Sequence, residues 1–322
     1  MSTEATGLRE LAGKRGLRIG TAVSADALRD DPQYRTILAR EFDMITCENA
    51  MKFGPLRPER DRFAFDDADA IVAFAREHGM AVRGHTLVWH YILPDWFAKG
   101  GFTYDDGIDL VRGHIHTVVS RYRGDVFAWD VVNEALDDHG GWRDSPFLRM
   151  FGPDYLAMAF HWAHEADPDA KLFYNDYSAD GLNRKSDAMY AMIRMLLEQG
   201  APIHGVGLQM HLCVWDDLHP ASIAANIKRF NDLGLDVHIT EMDVRIKEPF
   251  LESDLLRQAR IYREIMDVCL RAERCGAWAV WGVTDRYSWV PQAFKREGAA
   301  LLFDDAGQPK PAYEAVRDAL VS

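Results

Sequence analysis

Two glutamates stand where apolar segments end. Glu134 closes the segment "WDVVNEA", and Glu241 lies within "HITEMDV". A carboxylate beside an apolar core costs about several kcal/mol unless it is paired, solvated or used for chemistry. Each glutamate is therefore a candidate for a functional side chain.

A pair of facing carboxylates is what glycoside hydrolysis requires, because one protonates the leaving oxygen while the other attacks the sugar carbon or activates water. Three strand–helix units of roughly 36 residues separate Glu134 from Glu241, which places them across the mouth of a parallel barrel. The alternative is that the two belong to unrelated surface ion pairs. Because both end apolar strands at the same rim, the catalytic interpretation is favoured.

The neighbouring residues assign different roles to the two carboxylates. In "QMHL", Gln209 and His211 are two positions apart on one strand face, and in "ITEMD" so are Glu241 and Asp243. Although a lone histidine is commonly a core residue, His211 between two carboxylates would donate to both and keep Glu241 ionised, as a nucleophile requires. Glu134, beside several tryptophans, is predicted to be desolvated, with a raised pKa that suits an acid.

Short apolar segments rich in β-branched residues alternate with segments of helical period along the chain. The predicted strands are 18–23, 44–49, 81–89, 126–135, 171–177, 205–212, 236–244 and 277–285, and helices are expected at 66–79, 106–124, 184–200, 254–276 and 309–320. Eight such repeats predict an α/β fold, a closed (β/α)8 TIM barrel. We expect a single domain over residues 1–322, with its core at about 17–320. An open doubly wound sheet would need a glycine-rich first turn, and Gly20 stands alone.

Polar and aromatic residues collect at the C-terminal ends of the predicted strands, where barrels hold their active sites. They are Glu48, Asn49, Lys52, His85, Trp89, His90, Asn133, Glu134, Asn175, Asp176, Tyr177, Gln209, His211, Glu241, Asp243, Trp281, Asp285 and Trp289. The aromatic rings among them could pack against the C–H faces of sugars. Trp129 and Trp278, in contrast, are predicted to lie in the core.

Charge and motifs exclude several other classes of protein. The net charge of -13 argues against nucleic acid as a partner, and no segment approaches the ~20 apolar residues that cross a membrane. No metal or cofactor is expected, since zinc and nucleotide motifs are lacking, and His114 and His116 point apart on a predicted helix.

The sequence leaves two properties open, namely the pairing of two cysteines and the cellular location of the protein. Cys47 and Cys213 are expected to be buried thiols, while Cys269 and Cys275 could form a small bridge. The sequence leaves the location open between the extracellular or periplasmic space, if an export signal has been removed, and the cytoplasm.

Taken together, the motifs "ENAMK", "VRGHTLVWH", "WDVVNEA", "NDY", "HITEMDV" and "VWGVTDRYSW" closely resemble glycoside hydrolase family 10, the retaining endo-β-1,4-xylanases. The resemblance extends from about Ile19 to the closing "KPAYEA". It implies that Glu134 is the acid/base and Glu241 the nucleophile. It further implies that Asn133 binds the 2-hydroxyl of the cleaved sugar and that His211, supported by Asp243, binds the nucleophile.

The same resemblance implies a substrate, xylan or xylo-oligosaccharides, and the residues that bind it. On the non-reducing side of the cut, the expected residues are Glu48, Asn49, Lys52, His85 and Trp89. Gln209, Trp281 and Trp289 are expected to close over the scissile xylose. Asn175 and Tyr177 are expected toward the leaving group. The pair Cys269 and Cys275 matches a disulfide of secreted members. We expect a monomer without cofactor or metal.

Three positions depart from the family pattern. Ile92 stands where the family commonly has glutamine, Phe53 where tryptophan is usual, and Met242 where leucine is common. An apolar residue cannot hydrogen-bond a sugar hydroxyl, so Ile92 is expected to change affinity for the second sugar back from the cut, by about 0.5–1.5 kcal/mol. The alternatives are another barrel β-glycanase, either a cellulase or a mixed xylanase/cellobiohydrolase, and a non-catalytic sugar-binding barrel, which would lack one of the carboxylates.

Overall fold

The computed structural model describes residues 6–322, and its centre is a closed barrel of parallel strands. The strands are β1 (Arg18–Val23), β2 (Met44–Cys47), β3 (Ala81–Trp89), β4 (Val126–Asn133), β5 (Lys171–Asp176), β6 (Gly205–Leu208), β7 (His211–Cys213), β8 (Asp236–Lys247), β9 (Cys275–Val280) and β10 (Glu297–Gly298). β1 to β6 pair in sequence order, β6 pairs with β8, β8 with β9, and β9 with β1, which closes the ring. The predicted (β/α)8 fold is confirmed.

Helices connect the strands, and the longer ones cover the outside of the barrel. They are Leu8–Lys14, Ala25–Asp30, Pro32–Glu41, Phe53–Leu56, Asp66–Glu77, Asp95–Ala98, Tyr104–Arg121, Pro146–Phe151, Tyr155–Ala166, Arg184–Glu198, Pro220–Asp232, Glu252–Arg271, Val290–Ala293 and Pro311–Val321. Several begin at residues that cap them. Asp31 accepts from two backbone N–H groups at the start of its helix, and Asn183 forms a capping box with Ser186.

The core lies between the barrel and its helices, and the strands are buried on both faces, as parallel sheets require. Trp129 and Trp278 are fully buried there, as predicted. Gly84, on the strand beside Trp129, has no room for a side chain, because a Cβ would overlap the indole ring. The glycine thus lets the large ring pack against a neighbouring strand.

Several predicted element boundaries are wrong. The strand expected at 277–285 is β9, which begins at Cys275 and already ends at Val280. The expected strand 205–212 breaks after Leu208, because Met210 adopts a left-handed conformation with φ of 62°, and pairing with β8 resumes only at His211. The expected helix 254–276 ends at Arg271, and Cys275 already begins β9. The helical spacing of residues in the sequence continues past Arg271, whereas in the structure residues 272–274 form a turn before β9.

The cysteine and histidine predictions can be compared directly with the structure. Cys269 and Cys275 are joined in a disulfide, and Cys47 and Cys213 are buried free thiols. His114 and His116 lie on one helix but serve different partners. His114 stacks on Phe53 at 3.9 Å between ring centroids, and His116 Nε2 lies 3.2 Å from Glu165.

Residues 6–322 show neither a membrane-spanning helix nor a cluster of metal ligands. None of the helices combines the length and apolar character that crossing a membrane demands. In that same part of the chain, no three His, Cys, Asp or Glu side chains are grouped so that they could hold a metal ion.

Candidate active site

The C-terminal ends of the barrel strands open into a cleft of about 730 Å³. Most of the residues expected at the site line it, namely Glu48, Asn49, Lys52, His85, Trp89, Asn133, Glu134, Tyr177, Gln209, His211, Glu241, Trp281 and Trp289. Asp243 and Asn175 do not line it, and both are fully buried behind residues that do. One cleft therefore brings together side chains from distant parts of the sequence.

Glu134 lies immediately after β4 in a left-handed conformation with φ of 57°. Its backbone N–H donates to the carbonyl of Asn175 at 2.9 Å, and its own carbonyl accepts from Arg143 Nε at 3.0 Å. Its carboxylate accepts from Trp89 Nε1 at 2.9 Å and from Gln209 Nε2 at 3.1 Å. A strained backbone held from both sides fixes the direction in which this carboxylate points.

Glu241, on β8, is more deeply buried and lies next to an amide and two histidines. Asn175 Nδ2 donates to Oε1 at 2.6 Å, His211 Nε2 lies 3.2 Å from Oε2, and His85 Nδ1 lies 3.9 Å from Oε1. Burial alone would raise the pKa of Glu241, but His85, His211 and Asn175 together outweigh it and hold that pKa below its usual value. Glu241 is therefore ionised in the folded protein at neutral pH.

Amide side chains connect the two carboxylates. Gln209 Nε2 donates to Asn133 Oδ1 at 3.1 Å as well as to Glu134. Asn175 Nδ2 in turn donates to Asn133 Oδ1 at 2.9 Å as well as to Glu241. The structure thus gives Asn175 a different place from the one expected. Its amide is fully buried beneath the cleft, within hydrogen-bond distance of Glu241.

His211 bridges two carboxylates, as its sequence neighbours suggested. Its Nδ1 lies 2.9 Å from Asp243 Oδ2, and Trp289 Nε1 donates to the same oxygen at 2.8 Å. Although burial opposes protonation, Asp243 and Glu241 raise the pKa of His211 to about 10. A protonated His211 therefore donates to both carboxylates and holds Trp289 at the edge of the cleft through Asp243.

His85 is oriented from below by a buried polar chain in the barrel interior. Its Nδ1 lies 3.0 Å from Asp130 Oδ2, and Asp130 forms an ion pair with Arg83. Arg83 Nη1 then reaches His238 Nδ1 at 2.9 Å, and burial beside Arg83 holds the pKa of His238 well below its usual value. Because Asp130 engages the Nδ1 of His85, only Nε2 of that ring is left for another partner.

The far side of the cleft holds a lysine among carboxylates and indoles. Lys52 Nζ donates to Asn49 Oδ1 at 2.9 Å and lies 4.8 Å from the ring centroid of Trp89. Burial lowers the pKa of Lys52, against the attraction of Glu241, Glu48 and Glu134, and it raises the pKa of Glu48. These groups offer both donors and acceptors to neutral hydroxyls.

On the opposite side, Arg143 and Tyr177 anchor the turn that carries Glu134. Arg143 Nη2 donates to the Tyr177 hydroxyl at 2.6 Å and to the carbonyl of Leu136 at 2.8 Å, and Tyr177 also hydrogen-bonds Asp138. Beneath the Tyr177 ring, at 3.4 Å from its centroid, lies Lys185 Nζ. Tyr177 is therefore half-buried, its ring lies next to the charged groups of Arg143 and Lys185, and it lines the cleft.

Sequence reasoning missed some residues that the structure places in or behind the site. Arg143 lies in a loop without periodic pattern, so no signal in the sequence identifies it. Asp130 and Thr240 could have been found, because each is a polar residue inside an otherwise apolar strand segment, "WDVV" and "HITE". Such residues need buried partners, and they have them in His85 and Asn175.

Comparisons with known proteins agree with this geometry. A model of glycosyl hydrolase family 10 matches residues 7–319. The chain is 43% identical over 316 residues to endo-1,4-beta-xylanase B of Thermotoga neapolitana, covering 97% of this chain and 90% of the relative. The native xylanase 10B structure from Thermotoga maritima matches with a TM-score of 0.95 and 46% identity over 98% of both chains.

A second solved structure, xylanase 10B from Thermotoga petrophila RKU-1 in complex with xylobiose, matches with a TM-score of 0.96 and 45% identity. It covers 100% of this chain and 99% of its own. The similarity extends over the barrel, the cleft and nearly the whole sequence, as the motifs predicted. The chain belongs to glycosyl hydrolase family 10.

Proposed function

We propose that the protein is a retaining endo-1,4-β-xylanase that hydrolyses internal β-1,4-xylosidic bonds of xylan and xylo-oligosaccharides. The family membership and the relatives named as endo-1,4-β-xylanases support the activity. The observation that carries the mechanism is the contrast between the two carboxylates in the cleft. Glu241 is buried among donors that keep it ionised, whereas Glu134 lies at the strand end beside Trp89 and Gln209.

The reaction proceeds by two displacements. In the first, a Glu241 oxygen attacks the anomeric carbon while Glu134 gives its proton to the departing glycosidic oxygen, and a covalent xylosyl-enzyme forms. In the second, Glu134 removes a proton from water, whose oxygen attacks the same carbon and releases Glu241. Two inversions restore the original β configuration, and both carboxyl groups return to their starting states.

The other residues bind and orient the sugar. Asn133 is proposed to bind the 2-hydroxyl of the cleaved xylose, since its amide is fixed by Gln209 and Asn175 between the two carboxylates. Trp281 and Trp289 provide indole faces at the cleft for the same sugar. Asp243 and His211 position Glu241 rather than reacting themselves.

Replacement of the nucleophile tests the mechanism. Glu241→Ala is expected to lower kcat on xylohexaose by about 10⁴-fold or more, because the first displacement loses its attacking atom. Azide added to this variant should restore turnover and yield an α-glycosyl azide. The wild type should release the β-anomer first, which proton NMR of fresh products detects. Initial release of the α-anomer would show inversion and contradict the proposal.

The choice of polymer tests the substrate. Reducing-sugar release from xylan is expected to exceed release from carboxymethyl-cellulose, since the proposed subsites fit xylose. Faster release from carboxymethyl-cellulose would indicate a cellulase, and no release from either polymer would indicate a sugar-binding barrel. The products of xylohexaose distinguish internal cleavage, which gives two xylotrioses or xylobiose with xylotetraose, from removal of terminal single units.

A further inference from the structure

Ile92 is an apolar residue in a strained conformation on the wall of the cleft. It follows β3, its side chain lines the cleft, and its φ is 51°. The left-handed region is unfavourable for a β-branched residue, because Cβ and its two substituents crowd the backbone. Such a conformation persists only when the surrounding structure imposes it.

Gly54 contacts the backbone of Ile92 and helps to hold it in this conformation. Its backbone N–H donates to the carbonyl oxygen of Ile92 at 3.0 Å. A Cβ at Gly54 would lie only 2.6 Å from that same oxygen, so glycine alone permits the approach. The backbone of Ile92 is therefore fixed, and its contribution to the cleft is a hydrocarbon surface.

Tyr91 extends this hydrocarbon surface. It also lines the cleft, and it is 64% exposed. Its ring lies 5.4 Å from that of Trp89, at an interplanar angle of 78°. Trp89, Tyr91 and Ile92 together form an apolar corner of the cleft. An exposed tyrosine at the edge of a cleft does not pack in the core, and its ring can contact a ligand.

Next to the apolar corner stand hydrogen-bond donors. Lys52 Nζ donates to Asn49 Oδ1 at 2.9 Å, which uses the amide oxygen and leaves the Asn49 N–H groups and further Lys52 protons for a ligand. Lys52 precedes by two positions the glycine that contacts Ile92, and its ammonium lies over Trp89. The donors and the apolar corner line the same cleft.

This pairing fits an ester better than a hydroxyl. A hydroxyl donates as well as accepts, and its proton finds no acceptor on a hydrocarbon wall. An acetyl ester has a carbonyl oxygen that only accepts, and a methyl group that gains from burial. Glu48 remains as an acceptor for another, free hydroxyl of the same sugar. We propose, resting on the function proposed above, that the apolar corner binds an O-acetylated xylose residue of the substrate.

Paired substrates and paired variants test this inference. Acetylated xylo-oligosaccharides of defined length are compared with the same sample after alkaline deacetylation, and kcat/KM is measured on both. The wild type is expected to cleave the acetylated sample at least as well as the other. Ile92→Gln should lower the ratio of acetylated to deacetylated kcat/KM about fivefold, because its amide pairs with a free hydroxyl. Ile92→Leu stays apolar and should keep the wild-type ratio within about twofold.

Tyr91→Ser provides an independent variant, since an exposed position tolerates substitution, and it should lower the same ratio. An unchanged ratio in Ile92→Gln and Tyr91→Ser, or a wild type that cleaves only the deacetylated sample, overturns the acetyl inference and leaves the xylanase proposal intact. Failure of the wild type to cleave the deacetylated sample overturns the xylanase proposal itself.

Discussion

Asn175 Nδ2 lies 2.6 Å from Oε1 of Glu241, and both side chains are buried. Thr240 Oγ1 donates to Asn175 Oδ1 at 2.7 Å, which requires the amide nitrogen to face the carboxylate. A neutral donor fixed in this way stabilises the ionised form of Glu241 before any substrate binds.

Removal of this donor changes the pH dependence of catalysis. The pKa of Glu241 lies below its usual value, and Asn175 is one of the causes. In Asn175→Ala that pKa is expected to rise, so the ionised form of Glu241, the proposed nucleophile, is lost at a higher pH as acid is added. The acidic limb of the profile of kcat/KM against pH should move to higher pH. At neutral pH, kcat/KM should fall by about 10- to 100-fold, as expected for a hydrogen bond to a charged group.

Thr240→Val is the matched control for Asn175→Ala. It leaves the Asn175 amide present but no longer oriented, so the acidic limb should move in the same direction by a smaller amount. An acidic limb that stays in place in Asn175→Ala would mean that the hydrogen bond does not influence the nucleophile.

Arg143 is expected to act on catalysis through the backbone of Glu134. Arg143 Nε donates to the Glu134 carbonyl at 3.0 Å, and the left-handed turn at Glu134 depends on such contacts. Arg143→Ala should lower kcat about tenfold or more with little change in KM, because Glu134, the proposed acid, would no longer be aligned with the leaving oxygen. Steady-state kinetics on xylohexaose measure both constants.

Arg112→Ala is a suitable control for Arg143→Ala, since Arg112 forms an exposed ion pair with Glu165 at 2.9 Å, away from the cleft. Its kinetic constants should stay within about twofold of the wild type. Equal effects of the two substitutions would show that Arg143 has no special role at the site.

The fold and most of the site could be predicted because each depends on a regular pattern. Alternating apolar periods predict the barrel, and β1 and β3 begin and end where the sequence indicates. Strand ends in a parallel barrel share one rim, so Glu134 and Glu241 could be paired from their positions alone.

The remaining features depend on conformations that no period encodes. The left-handed backbone at Met210 interrupts a strand whose residue types favour continuation. The burial of Asn175 follows from side chains of β4 and β8, which are remote from it in sequence. Contacts between distant segments decide such details, and a single sequence does not reveal them.

The buried ion pair of Asp176 and Lys185 gives a prediction for stability. Lys185 Nζ lies 2.8 Å from Asp176 Oδ1, with both side chains out of contact with solvent. Lys185→Met would leave the carboxylate buried without its partner and should lower the free energy of unfolding by about 3–5 kcal/mol. Urea unfolding, with activity followed in parallel, measures the loss.

The loss of stability in Lys185→Met should depend on pH. Burial outweighs Lys185 and raises the pKa of Asp176 to about 6, so the folded protein binds a proton here more readily than the unfolded chain. Without Lys185 that pKa rises further, and protonation relieves the unpaired charge as pH falls. The destabilisation should therefore be smaller at pH 5 than at pH 8, and the double variant with Asp176→Asn should recover part of it. Equal losses at both pH values would contradict this account.

The disulfide between Cys269 and Cys275 should contribute to stability without affecting catalysis. It joins the end of one helix to the start of β9, at the opposite end of the barrel from the cleft. Because the closed loop is short, the chain-entropy model predicts that Cys269→Ser with Cys275→Ser lowers the free energy of unfolding by about 2 kcal/mol. Reductant should destabilise the wild type by a similar amount and leave the double variant unchanged. Loss of kcat/KM in the double variant would show instead that the bridge influences the active site through β9.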